Sequence, residues 1–486
     1  MTRRDRSHEV GQASGRGRLL TRWLPIVLVV VLLGGAVAAY RFDLGERWFD
    51  TEPPDPVEEP AAVAPPEGLE VPALDRPAPV AEEADQDMLS RAAVRRALAP
   101  GLRDRDLGKS VHAAVAPLDG GRMVFETGQQ AFVPASSTKV VTAAAALAEL
   151  GPDHRFTTTV VGRRGALTLV GGGDPFLVSK PAPADEWPPR ANLVDLARQT
   201  AQSLREGKWR KPVRLSYDDS LFTGPTDNPA WRSDYVPDDI VSPITALWVD
   251  EGLDPIGYGR LADPAAGAAA AFAEALRAQG VQVTGAVRAS RAPRRADELA
   301  SVSSAPLSQV AERVIEISDN EGAEVLARHV ALAREEEASF AGASRAVTGS
   351  LGDLGVPLDG VRLYDGSGLS RDNRLTGPAL VTVLQVAAEP DRPDLRPLLT
   401  GLPVGGYTGS LATRFDTGPR AGLGRVRAKT GTLTGVRALA GVATDQAGTP
   451  MAFVLSADRI RLARTVDAEQ QLDELAEGLG ACRCTR

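Results

Sequence analysis

Residues 133–150 read Val133-Pro134-Ala135-Ser136-Ser137-Thr138-Lys139, then Val140-Val141-Thr142-Ala143-Ala144-Ala145-Ala146-Leu147-Ala148-Glu149-Leu150, with Gly151 next. The alanine-rich half is a strong helix former and Gly151 is placed to end it, so a helix is expected over Lys139–Leu150 with Ser136 at its mouth. Ser136 and Lys139 lie one helical turn apart and share a face within hydrogen-bonding reach, while Ser137 points elsewhere. A serine hydroxyl is a poor nucleophile until a base takes its proton. Lysine can be that base only when its pKa falls from about 10.4 toward neutrality, which burial and a second cation both promote. Taken alone, the same string describes an N-cap serine followed by an exposed lysine.

Two further strings decide between these readings. Ser318-Asp319-Asn320 places a hydroxyl and a carboxamide two residues apart, able to face one cleft from an irregular turn between helical pieces. Ser318 can pass a proton to a leaving amine, and Asn320 can fix Lys139 and bind a substrate carbonyl. By itself the string is also an Asx-type turn ending a helix. Lys429-Thr430-Gly431-Thr432 closes a strand-like run from Arg425. Its ammonium and hydroxyls suit a substrate carboxylate, and Gly431 lets the backbone approach closely. The backbone N–H groups of Thr432 and Ser136 can form an oxyanion hole, typically worth about 3–4 kcal/mol per donor.

S-x-x-K, S-D-N and K-T-G in this order form the signature of class A β-lactamases and penicillin-binding proteins. The chain more closely resembles the D-alanyl-D-alanine carboxypeptidase/endopeptidase family, the class C low-molecular-mass penicillin-binding proteins. The resemblance runs from about Met88 to Leu479. It includes Gly172-Gly173-Asp174-Pro175, Tyr364-Asp365-Gly366-Ser367-Gly368-Leu369-Ser370-Arg371-Asp372-Asn373 and Leu402-Pro403-Val404-Gly405-Gly406. It implies an α+β transpeptidase-like domain (an antiparallel sheet with flanking helices and an all-helical part) interrupted by an inserted α+β domain. It also implies a serine peptidase that acts on peptidoglycan stem peptides, is acylated by β-lactams, and needs no cofactor or metal.

The 182 residues counted from Ser136 to Ser318 exceed what a β-lactamase needs and fall short of two inserted domains, so one insertion is expected. A β-lactamase remains the runner-up and would need a water-activating carboxylate. Glu335-Glu336-Glu337 is the nearest acidic cluster, and its charged setting reads as a solvated helix tail. A wall-binding protein without catalysis is a third reading, opposed by the intact Ser136, Lys139, Asn320 and Lys429.

The flanks bear on location. Arg3, Arg4, Arg6, Arg16, Arg18 and Arg22 precede an uncharged apolar run from Trp23 to Tyr40, close to the about 20 residues that span a bilayer. The arginines favour a cytoplasmic N-terminus. This gives a cytoplasmic leader (1–22) and a single-pass anchor (23–40) with an extracytoplasmic body. Cleavage of a signal after Ala36-Val37-Ala38, giving a secreted protein, is the alternative. Residues 41–87, rich in Pro, Ala, Glu and Asp, read as an extended linker.

The net charge of −8 excludes a basic nucleic-acid surface. Only His8, His112, His154 and His329 are present, which gives poor support to a histidine metal site or a Ser-His-Asp triad. Cys482 and Cys484 are expected in a frayed tail with at most a minor local bridge. Oligomeric state is not legible.

Along the body, strands are expected over Ser110–Pro117, Phe156–Val161, Ala166–Val170, Val213–Ser216, Val281–Ala289, Arg437–Thr444 and Met451–Ser456. Helices are expected over Leu89–Leu98, Asn192–Arg205, Ala265–Gln279 and Val466–Leu479, and Ala311–Val330 is amphipathic with the second string near its middle. The catalytic domain would comprise 88–155 and 294–486, with 156–293 inserted. Its first and last segments would share one antiparallel sheet, bringing the three strings to one cleft.

Overall fold

The computed structural model describes residues 89–128, 130–163, 165–415 and 420–485. The leader, the apolar run 23–40 and the linker lie outside these residues. Among the described residues, no helix is long and apolar enough to cross a membrane.

Among the described residues, ten strands form two sheets. The first has the order β2-β1-β10-β9-β8, built from β1 (Ser110–Pro117), β2 (Phe125–Thr127), β8 (Val426–Leu433), β9 (Val436–Thr444) and β10 (Pro450–Asp458). All its pairs are antiparallel, and β1 pairs with β10 from Ser110 opposite Asp458 to Pro117 opposite Met451. The two ends of the body therefore share a sheet, as expected. Period-two alternation sends side chains to opposite faces. Ala114, Ala116, Ala440, Ala452 and Val454 join one core, and Ala113, Val115, Leu439, Phe453 and Leu455 join the other.

Helices α1 (Arg91–Leu98) and α10 (Thr465–Ala481) cover the second of these faces. The first carries the all-helical part: α2 (Thr138–Leu150), α5 (Leu307–Ile317), α6 (Asn320–Ala333), α7 (Phe340–Asp353), α8 (Gly377–Ala388) and the short α9 (Arg396–Thr400). Helix α2 is buried along Thr138–Leu147, which explains its near-uniform apolar composition.

The second sheet, β6-β5-β4-β3-β7, is the inserted α+β layer. It comprises β3 (Thr157–Arg163), β4 (Ala166–Val170), β5 (Arg214–Asp218), β6 (Arg288–Ala289) and β7 (Asp297–Ser303). Here β4, β5 and β6 run parallel, joined by the crossover helices α3 (Leu193–Glu206) and α4 (Pro264–Ala278), as parallel pairing requires. The sheet draws in β7, beyond residue 293. The strand expected over Val281–Ala289 shrinks to Arg288–Ala289 plus an isolated bridge at Val283.

The amphipathic stretch Ala311–Val330 is two helical pieces joined by a turn, as the second string implied, and Ser318 takes a left-handed conformation there (φ 64°, ψ 40°). One expectation is corrected. The C-terminal tail is not frayed. Cys482 and Cys484 are disulfide-bonded, and Cys484 is fully buried. Ser90 N donates to Cys484 O at 2.7 Å and Cys484 N to Asp445 Oδ2 at 2.8 Å, so the backbone groups of the chain end find partners in the fold.

Candidate active site

Ser136 sits in a 3-10 turn, Ala135–Ser137, that runs directly into α2. Ala135 is buried with φ 47°, an uncommon backbone for a residue with a side chain, and Thr138 Oγ1 donates to its carbonyl at 2.8 Å. One turn on, Lys139 is fully buried and its ammonium has three partners. Nζ reaches Ser136 Oγ at 3.0 Å, Asn320 Oδ1 at 2.8 Å and the carbonyl of Ser367 at 2.7 Å. Burial lowers its pKa to about 8, against the opposing fields of Asp365, Asp319, Glu324 and Glu321.

The break between α5 and α6 aims the second string. Asp319 caps α6, accepting from Gly322 N at 2.7 Å, and Ser318 and Asn320 turn toward the lysines. The amide nitrogen of Asn320, expected to meet a substrate carbonyl, donates to Ile240 O at 2.9 Å. The third string ends β8. Lys429 Nζ donates to Ser318 Oγ and to Thr430 O, each at 2.8 Å, and its side chain is completely buried. Burial, and then the neighbouring Lys139, hold its pKa well below the usual lysine value. A Cβ on Gly431 would stand 2.6 Å from Pro134 O, so only glycine lets β8 pass this close to the Ser136 turn. Thr430 Oγ1 lies 2.8 Å from Ser410 Oγ.

All three strings open on one cleft of about 510 Å³, lined among others by Ser136, Ser318, Asn320, Thr430 and Thr432. A larger apolar hollow of about 660 Å³ beside Phe340 and Tyr364 contains none of these residues. Glu335-Glu336-Glu337 lies beyond the far end of α6, on the order of 20 Å from Asn320 at 1.5 Å per residue, with Glu336 paired to Arg345. No deacylating carboxylate comes from it.

Other contributors went unassigned in the sequence. Ser367 O accepts from Lys139 out of the 364–373 loop, which two buried acids hold from within. Glu324 accepts Ser367 N at 2.8 Å and Gly366 N at 3.1 Å. Asp365 accepts Gly368 N at 2.9 Å, Asn373 Nδ2 at 2.6 Å and Trp231 Nε1 at 2.8 Å. The available signal was Glu324 four residues after Asn320, on the same face of one helix. Tyr235 and Ile240 wall the cleft from a stretch with little regular structure, and Arg437 lines it from β9.

The arrangement is a serine whose hydroxyl meets a buried lysine of lowered pKa, with a second hydroxyl–lysine pair across the cleft. A carboxypeptidase of Mycobacterium tuberculosis is 38% identical over 409 residues, covering 82% of this chain and 85% of that protein. Carboxypeptidase DacB of Mycolicibacterium smegmatis is 35% identical over 471 residues, covering 94% and 96%. Penicillin-binding protein 4 of Haemophilus influenzae, also solved with a β-lactam, shares the fold at a TM-score of 0.62 and 21% identity, over 79% of this chain and 98% of that one. The model of the D-Ala-D-Ala carboxypeptidase 3 (S13) family matches residues 94–258 and 255–479, nearly the whole described body, and the chain belongs to that family.

Proposed function

We propose that this protein is a serine D-Ala-D-Ala carboxypeptidase that hydrolyses peptidoglycan stem peptides through an acyl-enzyme on Ser136. The observation that carries the reading is the 3.0 Å approach of Lys139 Nζ to Ser136 Oγ by a lysine whose pKa is lowered to about 8. Neutral Lys139 takes the hydroxyl proton as Oγ attacks the carbonyl of the penultimate residue. Asn320 and Ser367 O keep the amine aimed at Ser136. The backbone N–H groups of Ser136 and Thr432 receive the developing oxyanion. As the C–N bond breaks, Ser318, hydrogen-bonded to Lys429, passes a proton to the departing amine. Water then cleaves the ester and frees Ser136. A β-lactam enters by the same first step, but its ring nitrogen stays tethered to the acyl group after the C–N bond breaks, so no leaving group departs to make room for water and the ester persists.

Residues 23–40 serve as a single-pass membrane anchor, 41–87 as a linker, and the body acts outside the membrane. The catalytic domain comprises 88–155 and the C-terminal stretch, with the inserted layer between.

Release of D-alanine from a soluble peptide ending in D-Ala-D-Ala tests the activity. The body is expected to release it, and Ser136→Ala to release none. Undiminished release by Ser136→Ala contradicts the assignment.

A further inference from the structure

A lysine that acts as a base is a neutral amine, with two N–H groups and one lone pair. The partners of Lys139 fit that count. Asn320 Oδ1 at 2.8 Å and Ser367 O at 2.7 Å are pure acceptors and take the two N–H groups, which leaves the lone pair for the hydroxyl of Ser136 at 3.0 Å. The aim of the base therefore depends on two acceptors staying where they are. Asn320 is tied by its own amide nitrogen to Ile240 O. Ser367 O belongs to a loop, and something must hold it.

Helix α6 does so. Glu324 lies one turn beyond Asn320 on the same face of that helix. It is buried, and its carboxylate accepts Ser367 N at 2.8 Å and Gly366 N at 3.1 Å. From α2, Thr142 Oγ1 donates to Gly366 O at 2.7 Å, so the peptide joining 366 to 367 is pinned at both its nitrogen and its oxygen. The loop lies directly on α6: a Cβ on Gly366 would stand 2.7 Å from Ala327 Cβ and 2.8 Å from Ala323 O. One helix face thus fixes both acceptors, Asn320 directly and Ser367 through Glu324.

We propose that Glu324 is a positioning residue for the catalytic base, holding the Ser367 carbonyl on Lys139 and so the amine's lone pair on Ser136. This rests on the reading of Lys139 as the base and deepens it. The charge of Glu324 acts on the same group. Lys139 faces Asp365 and Asp319 as well as Glu324 and Glu321, all favouring its charged form, while it lowers the pKa of the neighbouring Lys429. Glu324 in turn faces Asp365 in the loop and Arg328 one turn further along α6. Burial, and then Asp365, raise its carboxyl to about 7, so it is ionised above that value while Lys139 loses its proton near 8.

The test is the second-order rate constant for acylation of the body by a penicillin, followed by mass from pH 5.5 to 10 in the wild type and Glu324→Gln. The carboxamide keeps the shape, drops the charge, and has one oxygen for two N–H groups. A lost acid and a slackened carbonyl both favour the neutral amine, so the midpoint of the rate rise should move to lower pH. The plateau above it should fall by about 10–100-fold, the size of effect that a small misplacement of a reacting group produces. A misfolded fraction lowers the amount of adduct and not its rate constant, so partial misfolding does not imitate this result. An unmoved midpoint overturns the proposal whether or not the plateau falls. A lowered melting temperature with wild-type rate constants throughout overturns it equally, since Glu324 would then only pack the loop. If Glu324→Gln yields no folded protein, Glu324→Asp decides, because it keeps the charge and shortens the reach by one methylene. Its plateau is expected to fall, and a wild-type plateau there overturns the proposal. A wild type that forms no adduct, or whose rate is flat with pH, contradicts the Lys139–Ser136 reading itself, a result distinct from these.

Discussion

Lys139 is pulled two ways: burial disfavours its charge, and four acids around it favour it. The balance, about 8, places its deprotonation within reach of ordinary pH. The base is the neutral amine, whose fraction grows as pH rises through that value. The acylation rate of the free enzyme by a penicillin is therefore expected to climb from about pH 6 through 8 and to level off above about pH 9. Lys139→Arg should show no acylation at any of these pH values, because a guanidinium keeps its proton. A flat profile across this range, or acylation in Lys139→Arg, removes Lys139 from the mechanism. Ser136, Lys139, Ser318, Asn320 and Lys429 were legible because side-chain chemistry at fixed spacing is written in the sequence. Ser367 was not, since it acts through a carbonyl that every residue owns. Arg437 was hidden for another reason: its nearness to Thr432 exists only once β8 and β9 are paired.

The break between α5 and α6 shows what periodicity misses at the scale of elements. Apolar spacing runs through residues 311–330 as if one helix continued, yet Ser318 turns left-handed and Asp319 starts a new helix. Ser-Asp-Asn was the local warning, because these side chains favour turns and caps. The N-terminal turn of α6 buries a group of acids. Glu321 accepts Ser242 N at 3.0 Å and meets Arg260 at 3.2 Å, while Glu251 faces Arg190 at 3.5 Å. Burial first, and then Asp319 and Glu321, push the carboxyl of Glu251 up to about 8. A carboxyl with a raised folded-state pKa contributes stability that is full below its unfolded pKa and is lost as pH rises through the folded one. Thermal stability is thus expected to fall as pH rises from about 4.5 to about 8, the unfolded and folded values for Glu251, and Glu251→Gln should flatten that fall. A variant whose melting temperature drops in parallel with the wild type would show that Glu251 does not titrate there. The stretch around Tyr235 and Ile240 offered no such handle, being held by contacts with α6 rather than by a repeating pattern of its own.

For the whole molecule, pairing β1 with β10 explains how residues separated by most of the chain meet at Ser136, and the strand patterns at both ends of the body anticipated it. The parallel crossovers of the second sheet, and its recruitment of β7, follow from contacts between strands too short to announce their partners. An anchor at 23–40 followed by the linker predicts full-length protein in the membrane fraction, with the body released by proteolysis between residues 41 and 87. A mature N-terminus just after Ala38 would show a cleaved signal instead. The central claim is that Ser136, activated by Lys139, forms an acyl-enzyme that outlasts its formation. Its most direct test is intact-mass and peptide mapping of the body after incubation with a penicillin. One adduct of the drug's full mass on the peptide containing Ser136, persisting for many minutes, is the result expected. An adduct on another residue, or rapid catalytic turnover of the drug with no adduct, would contradict the account.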